Sequence, residues 1–508
     1  MDKFLRAPVE ASAQQLGGIR RGLEKESLRA RPDGALATTA HPAALGSALT
    51  HPHITTDFSE SQVELITGVH AGVQDCLDEL MRVQRFTAQA LNNEMLWVSS
   101  MPCDLPADEA IPLGQYGTSN VGRAKTVYRT GLGHRYGRRM QTISGIHYNW
   151  SMPGVSSEQY FSLIRNFRRN AFLLLYLFGA SPAVCSSFVA GRQHALQRLG
   201  ENTMHLPYAT SLRMGRLGYQ SDAQSALAVS YNSLQGYAAS LQGALTQPYA
   251  PYETIGVQGP DGGYRQLGTT LLQIENEFYG SIRPKRVIFP GERPLHALRE
   301  RGVEYVEVRL LDLDPFELVG INAQTLRFID VFLIYCLSTD SPDDTPQEIA
   351  AMARNQHAVA ERGREPGLLL ERPGAQVALV DWGRDILSAL APIAARLDAN
   401  HATSDYGAAV RAAQHGLEQP QTLPSARVLR EISEQFDGSF LEFAKARSAA
   451  TRQAMLEVRL TAHERGLLEQ ESRDSLQKQA DIEAADSMPF DIYLKEYLAP
   501  QRLLARPH

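Results

Sequence analysis

Two glutamates spaced two residues apart are the first residues in the sequence that could do chemistry. Glu24 and Glu26 lie in a segment whose alternation predicts a β-strand. On a strand their carboxylates would share one face, about 7 Å apart. Two carboxylates on one face suit a divalent cation such as Mg²⁺. The alternative is that both lie on the solvated face of a surface strand, which on this segment alone is the commoner situation.

Two further acids lie in the next predicted strand region. Glu64 falls inside an apolar run, where an unpaired carboxylate would be costly and therefore needs a cation or hydrogen-bond donors. Asp57 could be another ligand, but it follows two threonines, and that short polar run is equally suited to capping a turn.

A third segment carries a histidine on a polar strand face. Alternation places His147, Asn149 and Ser151 on the same side, and Gly145 leaves space beside them. Such a face could line a site. A single histidine is more often structural than a metal ligand, so on this segment alone the structural reading stays ahead.

The fourth segment pairs opposite charges. Glu307 and Arg309 share one face of a β-branched run over 303–310. The pair suits a metal–phosphate site, and it suits a simple same-face ion pair equally well. A companion strand predicted over 270–279 gathers a further polar face, made of Gln273, Glu275, Glu277 and Tyr279.

The elements that must position these residues form an α+β unit. Over 17–314, short alternating runs between Gly- and Pro-containing loops predict a largely antiparallel sheet. The predicted strands cover 19–28, 62–67, 141–152, 270–279 and 303–310, and a helix is predicted over 158–178. After Asn322 no strand is predicted, and the chain has the pattern of long helices, most clearly over 440–485. The expected units are therefore 1–322 and 323–508, with a soft boundary.

Composition narrows the class of protein. The 508 residues hold 50 Lys+Arg and 56 Asp+Glu, which argues against a nucleic-acid binder. The first 30 residues lack the apolar core of a secretory signal, and the longest apolar run, over 171–178, is too short to cross a membrane. The four cysteines form no CxxC pair, which argues against a zinc site, although one pairing, Cys103 with Cys185, stays open. Residues 117–126 do not form a P-loop, because Lys125 does not directly follow the second glycine, Gly122.

Nine ordered motifs make the chain resemble the proteobacterial glutamate–cysteine ligase family. These motifs run through most of the chain, at 21–29, 45–50, 55–58, 115–120, 140–145, 177–182, 206–213, 273–277 and 282–286. The portion after Asn322 matches less well, and no function is carried over to it. This chain departs from the family's pattern at Lys25, Ser27 and Trp150, and these departures leave the fine substrate specificity open.

The resemblance implies a fold and a set of site residues. The fold is the glutamine-synthetase-like fold of carboxylate–amine ligases, in which a funnel-shaped, mainly antiparallel sheet holds ATP, metals and amino acids and is followed by a helical portion. By motif position the resemblance assigns the metals to Glu24, Glu26, Asp57, Glu64, His147 and Glu307. It assigns the transferred phosphoryl group to Arg129 and Arg309, and the amino acids to Phe58, Tyr128, Gln141, Asn149, Arg213, Tyr219 and Tyr279.

The implied reaction joins the side-chain carboxylate of L-glutamate to the amine of L-cysteine through an acyl phosphate. ATP is the co-substrate, Mg²⁺ or alternatively Mn²⁺ the cofactor, and the products are γ-glutamylcysteine, ADP and phosphate, in the first step of glutathione synthesis. The lack of a secretory signal, the balanced charge and the short apolar run predict a cytoplasmic protein without nucleic-acid or membrane partners. A monomer and feedback inhibition by glutathione are further expectations.

Three rival functions compete with this one. They are a related ligase with another amine acceptor, a nucleotide-sensing protein without turnover, and a bifunctional enzyme. The last is disfavoured because no second nucleotide-binding unit is predicted after Asn322.

Overall fold

The computed structural model describes residues 12–218, 222–225 and 227–504. The strands in this part of the chain are β1 (Arg20–Ala30), β2 (Ile54–Thr56), β3 (Gln62–Ile66), β4 (Met95–Leu96), β5 (Ile146–Ser151), β6 (Ala183–Cys185), β7 (Gln197–Gly200), β8 (Thr203–His205), β9 (Ile282–Lys285), β10 (Tyr305–Leu311), β11 (Leu369–Arg372) and β12 (Ala375–Ala378).

The helices are spread along the whole described part of the chain, and the longest lie in its last third. They are α1 (Ala13–Gly17), α2 (Val73–Ala90), α3 (Asn120–Tyr136), α4 (Ser157–Asn170), α5 (Phe172–Phe178), α6 (Ser186–Val189), α7 (Asp222–Ser225), α8 (Leu234–Thr246), α9 (Ala250–Ile255), α10 (Pro294–Arg301), α11 (Ala323–Ser338), α12 (Pro346–Arg362), α13 (Leu379–His401), α14 (Asp405–Glu418), α15 (Pro424–Gln435), α16 (Phe440–Glu457), α17 (Ala462–Ala485) and α18 (Phe490–Tyr497). None of these described helices is long and apolar enough to cross a bilayer.

The main sheet is antiparallel and carries the segments that hold the predicted site. Its strand order is β2-β3-β1-β5-β10-β9, and β4 pairs with the end of β1. The register sets Glu24 opposite His147 and Glu26 opposite Glu64. The predicted α+β class with a mainly antiparallel sheet is confirmed, and the helical C-terminal portion is confirmed with it.

One buried apolar core lies behind this sheet. Leu23, Val63, Tyr148 and Val308 contribute to it from four neighbouring strands, and α2, α4, α5 and α11 supply most of the helical side chains. Buried residues from both sides of position 322 belong to this core. The boundary between two units at that position stays a prediction.

Local capping and turn residues explain where several elements begin and end. Ser156 and Thr461 each form a capping box at the start of α4 and α17. Gly179 ends α5 as its sequence position predicts. The helix predicted over 158–178 is interrupted at Ala171, and the helix predicted over 440–485 is interrupted by residues 458–461, where Thr461 begins a new helix.

Three strand predictions differ from the structure. Residues 270–279 form a loop with a 3₁₀ turn at Glu275–Glu277, because both glutamates insert into buried ion pairs instead of alternating along a ladder. The strand predicted over 141–152 begins only at Ile146, after a 3₁₀ turn at Met140–Thr142. After Asn322 a hairpin of β11 and β12 is present, and Gly374 in its turn has a φ of 81°.

The cysteine pairing that the sequence left open is present. Cys103 and Cys185 form a disulfide, and their Cα atoms lie 5.3 Å apart. Cys76 and Cys336 are free and buried. Within the described part of the chain, the disulfide joins the loop after β4 to the end of β6.

Candidate active site

A cavity of about 500 Å³ opens on one face of the main sheet. Its lining includes all the acids and the histidine predicted as metal ligands, together with both predicted phosphoryl-binding arginines. Four of the predicted amino-acid-binding residues also line it: Phe58, Tyr128, Gln141 and Tyr279. Residues almost three hundred positions apart in sequence are therefore brought to one cavity by the strand order of the sheet.

Strand pairing fixes the carboxylates nearest the sheet. The Nδ1 atom of His147 lies 3.0 Å from a carboxylate oxygen of Glu24. The side-chain amide of Asn149 donates to the other oxygen of the same carboxylate at 2.9 Å. Glu26 accepts a hydrogen bond from the backbone N–H of Gly145 at 2.8 Å, and its other oxygen lies 3.7 Å from His147.

Three of these side chains converge as a metal centre would require. Glu24, Glu64 and His147 each offer one ligand atom, and the three atoms lie within 4.8 Å of one another. Oxygen donors with one imidazole are a ligand set that Mg²⁺ or Mn²⁺ accepts. Among the described residues, no other group of this kind is present.

The electrostatics of these acids also fit a cation. Burial, followed by repulsion from Glu24 and Asp57, raises the pKa of the Glu64 carboxyl well above its ordinary value. Burial and then Asp57 raise the pKa of Glu26 to about 8. Carboxyls crowded in this way are destabilised when ionised, and a divalent cation between them would relieve the repulsion.

Glu307 differs from the other acids because it already has two cationic neighbours. A carboxylate oxygen of Glu307 lies 3.3 Å from the Lys285 ammonium, and the other lies 3.1 Å from the Arg309 guanidinium. Burial opposes ionisation, yet Lys285 and then Arg309 hold the pKa of Glu307 well below its usual range. His147 lies 4.0 Å away. Glu307 therefore lies between the acidic group and a cationic group.

The two arginines approach the acids from different elements. Arg309 lies on β10, with its guanidinium 3.4 Å from His147. Arg129 projects from α3, donates to the backbone carbonyl of Asp57 and lies over the Tyr116 ring at 4.4 Å. Cations thus flank the carboxylates on two sides, an arrangement suited to a polyphosphate bridged to a metal.

The predicted amino-acid-binding residues divide into three groups by position. Gln141 donates to the Tyr279 hydroxyl at 2.6 Å on the cavity wall. Asn149 and Arg213 lie next to the wall: Asn149 contacts Glu24, and Arg213 donates to the backbone carbonyl of Arg309 at 2.9 Å. Tyr219 lies outside the described residues. The roles assigned to these residues stay predictions.

Several cavity residues were missed by sequence reasoning. Lys125 lies one helical turn before Arg129, and Lys285 and Arg283 lie on β9 in a motif that was noticed but given no role. Tyr493 and Tyr497 come from α18, in the portion to which no function was assigned. Their spacing of four residues, after Phe490, places aromatic rings on one helix face and was an available signal.

Known proteins resemble this chain in both sequence and structure. The family model described as glutamate-cysteine ligase matches residues 6–359. A glutamate–cysteine ligase from Saccharophagus degradans is 47% identical over 506 residues, covering 96% of this chain and 95% of the relative. The structure of glutamate–cysteine ligase from Francisella tularensis in complex with AMP matches with a TM-score of 0.91 and 36% identity, covering 96% of this chain and 98% of that one. A bifunctional glutathione synthetase from Pasteurella multocida matches with a TM-score of 0.68 and 26% identity, covering 88% of this chain but 54% of that one.

Proposed function

The chain belongs to the glutamate–cysteine ligase family, and we propose that the carboxylate-lined part of its cavity is the site of phosphoryl transfer. The chain is an ATP-dependent ligase that forms γ-glutamylcysteine from glutamate and cysteine, the first step of glutathione synthesis. The observation that carries the proposed site is the convergence of Glu24, Glu64 and His147 between Arg129 and Arg309.

Magnesium is the cofactor that we propose for this site. Glu24, Glu64 and His147 would hold one ion, and Glu26, Asp57 and Glu307, which line the same cavity, would share in binding. When bound, the cation would neutralise negative charge on the phosphates during phosphoryl transfer. The raised pKa values of Glu26 and Glu64 support this proposal, because crowded carboxylates are the groups that gain most from a cation.

The proposed reaction needs no nucleophile from the protein. The side-chain carboxylate of the substrate glutamate attacks the γ-phosphorus of ATP, and ADP leaves. The amine of the substrate cysteine then attacks the acyl carbon, phosphate leaves, and the amine loses a proton. Arg129 and Arg309 would offset the charge on the transferred group, since a guanidinium meets two phosphate oxygens at once and stays ionised.

The cysteines of the chain have no part in this scheme. Within the described residues, two are paired with each other and two are free and buried. None of them lines the cavity. Catalysis would consist of positioning and charge neutralisation.

The amino-acid subsites are proposed on the aromatic and amide wall of the cavity. Gln141 and Tyr279 are held together by a hydrogen bond, and Phe58 and Tyr128 belong to one small buried apolar cluster. Such a wall suits a thiol, which packs well against aromatic rings. Arg213 and Asn149 would act from behind this wall.

The direct test is ADP release measured with glutamate and a panel of amines. We expect release to require both glutamate and cysteine, with aspartate a poor replacement for glutamate. Turnover with glycine or ammonia but not with cysteine would favour the related carboxylate–amine ligase instead. ATP binding without any ADP release would favour a nucleotide-binding protein without turnover.

The remaining expectations from the family resemblance are also proposals. We propose that the chain works as a monomer in the cytoplasm, where ATP is supplied, and sedimentation and cell fractionation would test both points. Inhibition by glutathione is supported by chemistry, because glutathione contains the γ-glutamylcysteine product and can occupy the same subsites. Competition of glutathione against glutamate in the ADP-release assay would test it.

A further inference from the structure

One part of the cavity wall has a chemistry that the metals and amino acids do not explain. It contains Tyr493 and Tyr497 of α18, and the apolar side chains of Val121, Ile274 and Ile288 line the same cavity. The Arg293 guanidinium lies 4.9 Å from the Tyr497 ring and binds Glu275, and neither of these charged residues belongs to the predicted metal set. We call this part of the cavity the α18 wall.

The aromatic rings of the α18 wall are stacked in parallel. The ring centroids of Tyr493 and Tyr497 are 5.8 Å apart, and their planes differ by 5°. Phe490 continues the stack at 6.4 Å from Tyr493, with planes 18° apart. The guanidinium of Arg123 covers Phe490 at 4.1 Å. Of these three rings, those of Tyr493 and Tyr497 line the cavity, so the stack brings two neighbouring aromatic side chains to its wall.

The α18 wall is anchored at both ends by residues from other parts of the chain. Arg293 is 2% exposed, and its guanidinium binds Glu275 at 2.7 and 3.0 Å. The same guanidinium donates to the backbone carbonyl of Tyr497 at 3.0 Å and lies 4.9 Å from the Tyr497 ring. At the start of the helix, the side chain of Asn120 donates to the backbone carbonyl of Met488 at 2.7 Å.

The chemistry of the α18 wall selects among the substrates. Glutamate and cysteine carry charged amino and carboxyl groups, which need polar partners when buried. A purine base has flat apolar faces that stack on aromatic rings. A triphosphate at the carboxylates and arginines would leave its base to be bound elsewhere in the cavity.

We propose that Tyr493 and Tyr497 bind the base of the nucleotide, and that Glu275 and Arg293 are positioning residues that hold the α18 wall. This inference rests on the proposed function, because it assumes that the triphosphate lies at the carboxylate-lined part of the cavity. It gives the C-terminal helix a direct part in nucleotide binding.

The 3₁₀ turn that contains Glu275 also contains a matched control residue. Glu277 lies two positions after Glu275, but it binds Arg135 at 2.8 Å and the Tyr136 hydroxyl at 2.7 Å. The Tyr136 ring packs edge-on against the Tyr279 ring at 5.7 Å, and the Tyr279 hydroxyl accepts a hydrogen bond from Gln141. Glu277 therefore supports the proposed amino-acid wall, whereas Glu275 supports the α18 wall.

The first experiment measures Mg²⁺–ATP affinity by calorimetry and the KM of each substrate. Tyr497→Ala and Tyr493→Ala should weaken ATP binding by roughly 5- to 100-fold, the range for loss of a base–aromatic stack, while the KM values for glutamate and cysteine change less than threefold. Tyr493→Phe, which keeps the ring, should restore ATP affinity. Ile492→Ala, at a 46% exposed residue of the same helix, is the control and should change nothing.

The second experiment compares two chemically identical substitutions. Glu275→Gln should raise the KM for ATP selectively, and Glu277→Gln should raise the KM for glutamate and cysteine selectively. Normal ATP affinity in both tyrosine-to-alanine variants, or equal effects of the two glutamine substitutions on all three substrates, would overturn the inference. If ATP binding responds as expected but glutamate and cysteine are not ligated, the proposed function fails and the inference about the base stands.

Discussion

Strand β1 carries charged side chains on both of its faces, and the two sets have different surroundings. On the rear face, Arg21 and Arg29 are buried and form ion pairs: Arg21 binds Asp330 at 2.8 Å, and Arg29 binds Glu94 at 2.6 Å. On the cavity face, Glu24 and Glu26 point toward further acids, and the directly opposite residue to Glu26 is Glu64.

The difference teaches how to separate structural charge from functional charge. The two rear-face arginines each meet an acid that compensates their burial, whereas the cavity-face carboxylates crowd together and the pKa values of two of them rise. A buried charge that is already paired within the protein does not require a ligand. Buried charges of the same sign that repel one another indicate a site for a ligand of opposite charge, which the chain itself does not supply.

The largest effect is expected on the cavity face. Glu64→Gln should lower kcat by roughly 10³-fold, because it removes a candidate metal ligand and its charge from the site of phosphoryl transfer. The free energy of unfolding without Mg²⁺ should not fall, since glutamine keeps the shape and relieves repulsion. ADP release and urea unfolding would measure the two quantities. A loss of stability with retained activity would reverse the comparison.

A smaller effect is expected for Arg309, which meets Glu307 on the same face. Arg309→Lys should lower kcat by roughly 10²-fold and change the KM for ATP less, because lysine keeps the charge but loses the planar fork. Steady-state kinetics at saturating glutamate and cysteine would show this. A near-normal kcat with a large rise in the KM for ATP would mean that Arg309 serves ground-state binding.

The rear face should show the opposite pattern. Asp330 is fully buried and binds both Arg21 and the Tyr148 hydroxyl. Asp330→Ala should reduce the free energy of unfolding by about 3–5 kcal/mol, because it leaves the Arg21 guanidinium buried without its counter-ion. The kcat of the protein that remains folded should stay within about threefold of the wild type, well below the cavity-face effects. A loss of kcat as large as that of Glu64→Gln would remove the distinction between the two faces.

The smallest effect is expected at Lys25, which lies between Glu24 and Glu26 in sequence but points to the rear. Its ammonium is buried and donates to the side chain of Gln84 at 2.6 Å. Lys25→Met keeps the length of the side chain and removes the charge, so the free energy of unfolding should change by about 1 kcal/mol or less and kcat should not change. A large fall in kcat would show that the rear face contributes to the reaction.

The sequence predicted the cavity face better than the elements around it. Alternation correctly placed Glu24 with Glu26 and Glu307 with Arg309, because a strand period of two fixes which side chains share a face. The motifs of the family supplied the set of residues to expect at the cavity. Alternation alone did not reveal which side of β1 faces a site, since every odd position from 21 to 29 is also buried.

The failures have a common physical cause. Residues 270–279 alternate like a strand, but the segment turns because Glu275 and Glu277 each find an arginine distant in sequence. The roles of α18 and Lys285 likewise depend on tertiary packing that no local pattern encodes. Long-range ion pairs and the docking of distant helices are therefore what sequence reasoning missed here.

The most direct test of the account is the Mg²⁺-dependent rise in melting temperature of the wild type and of four glutamine variants. A cation that binds only the folded protein raises its stability by mass action, and nucleotide should increase the rise. Glu26→Gln, Glu64→Gln and Glu307→Gln should each lose part of this rise. Glu304→Gln, at a 45% exposed side chain that lies three residues before Glu307, should keep all of it. Equal rises in all five proteins, or an equal loss in Glu304→Gln, would contradict a shared metal site on the cavity face.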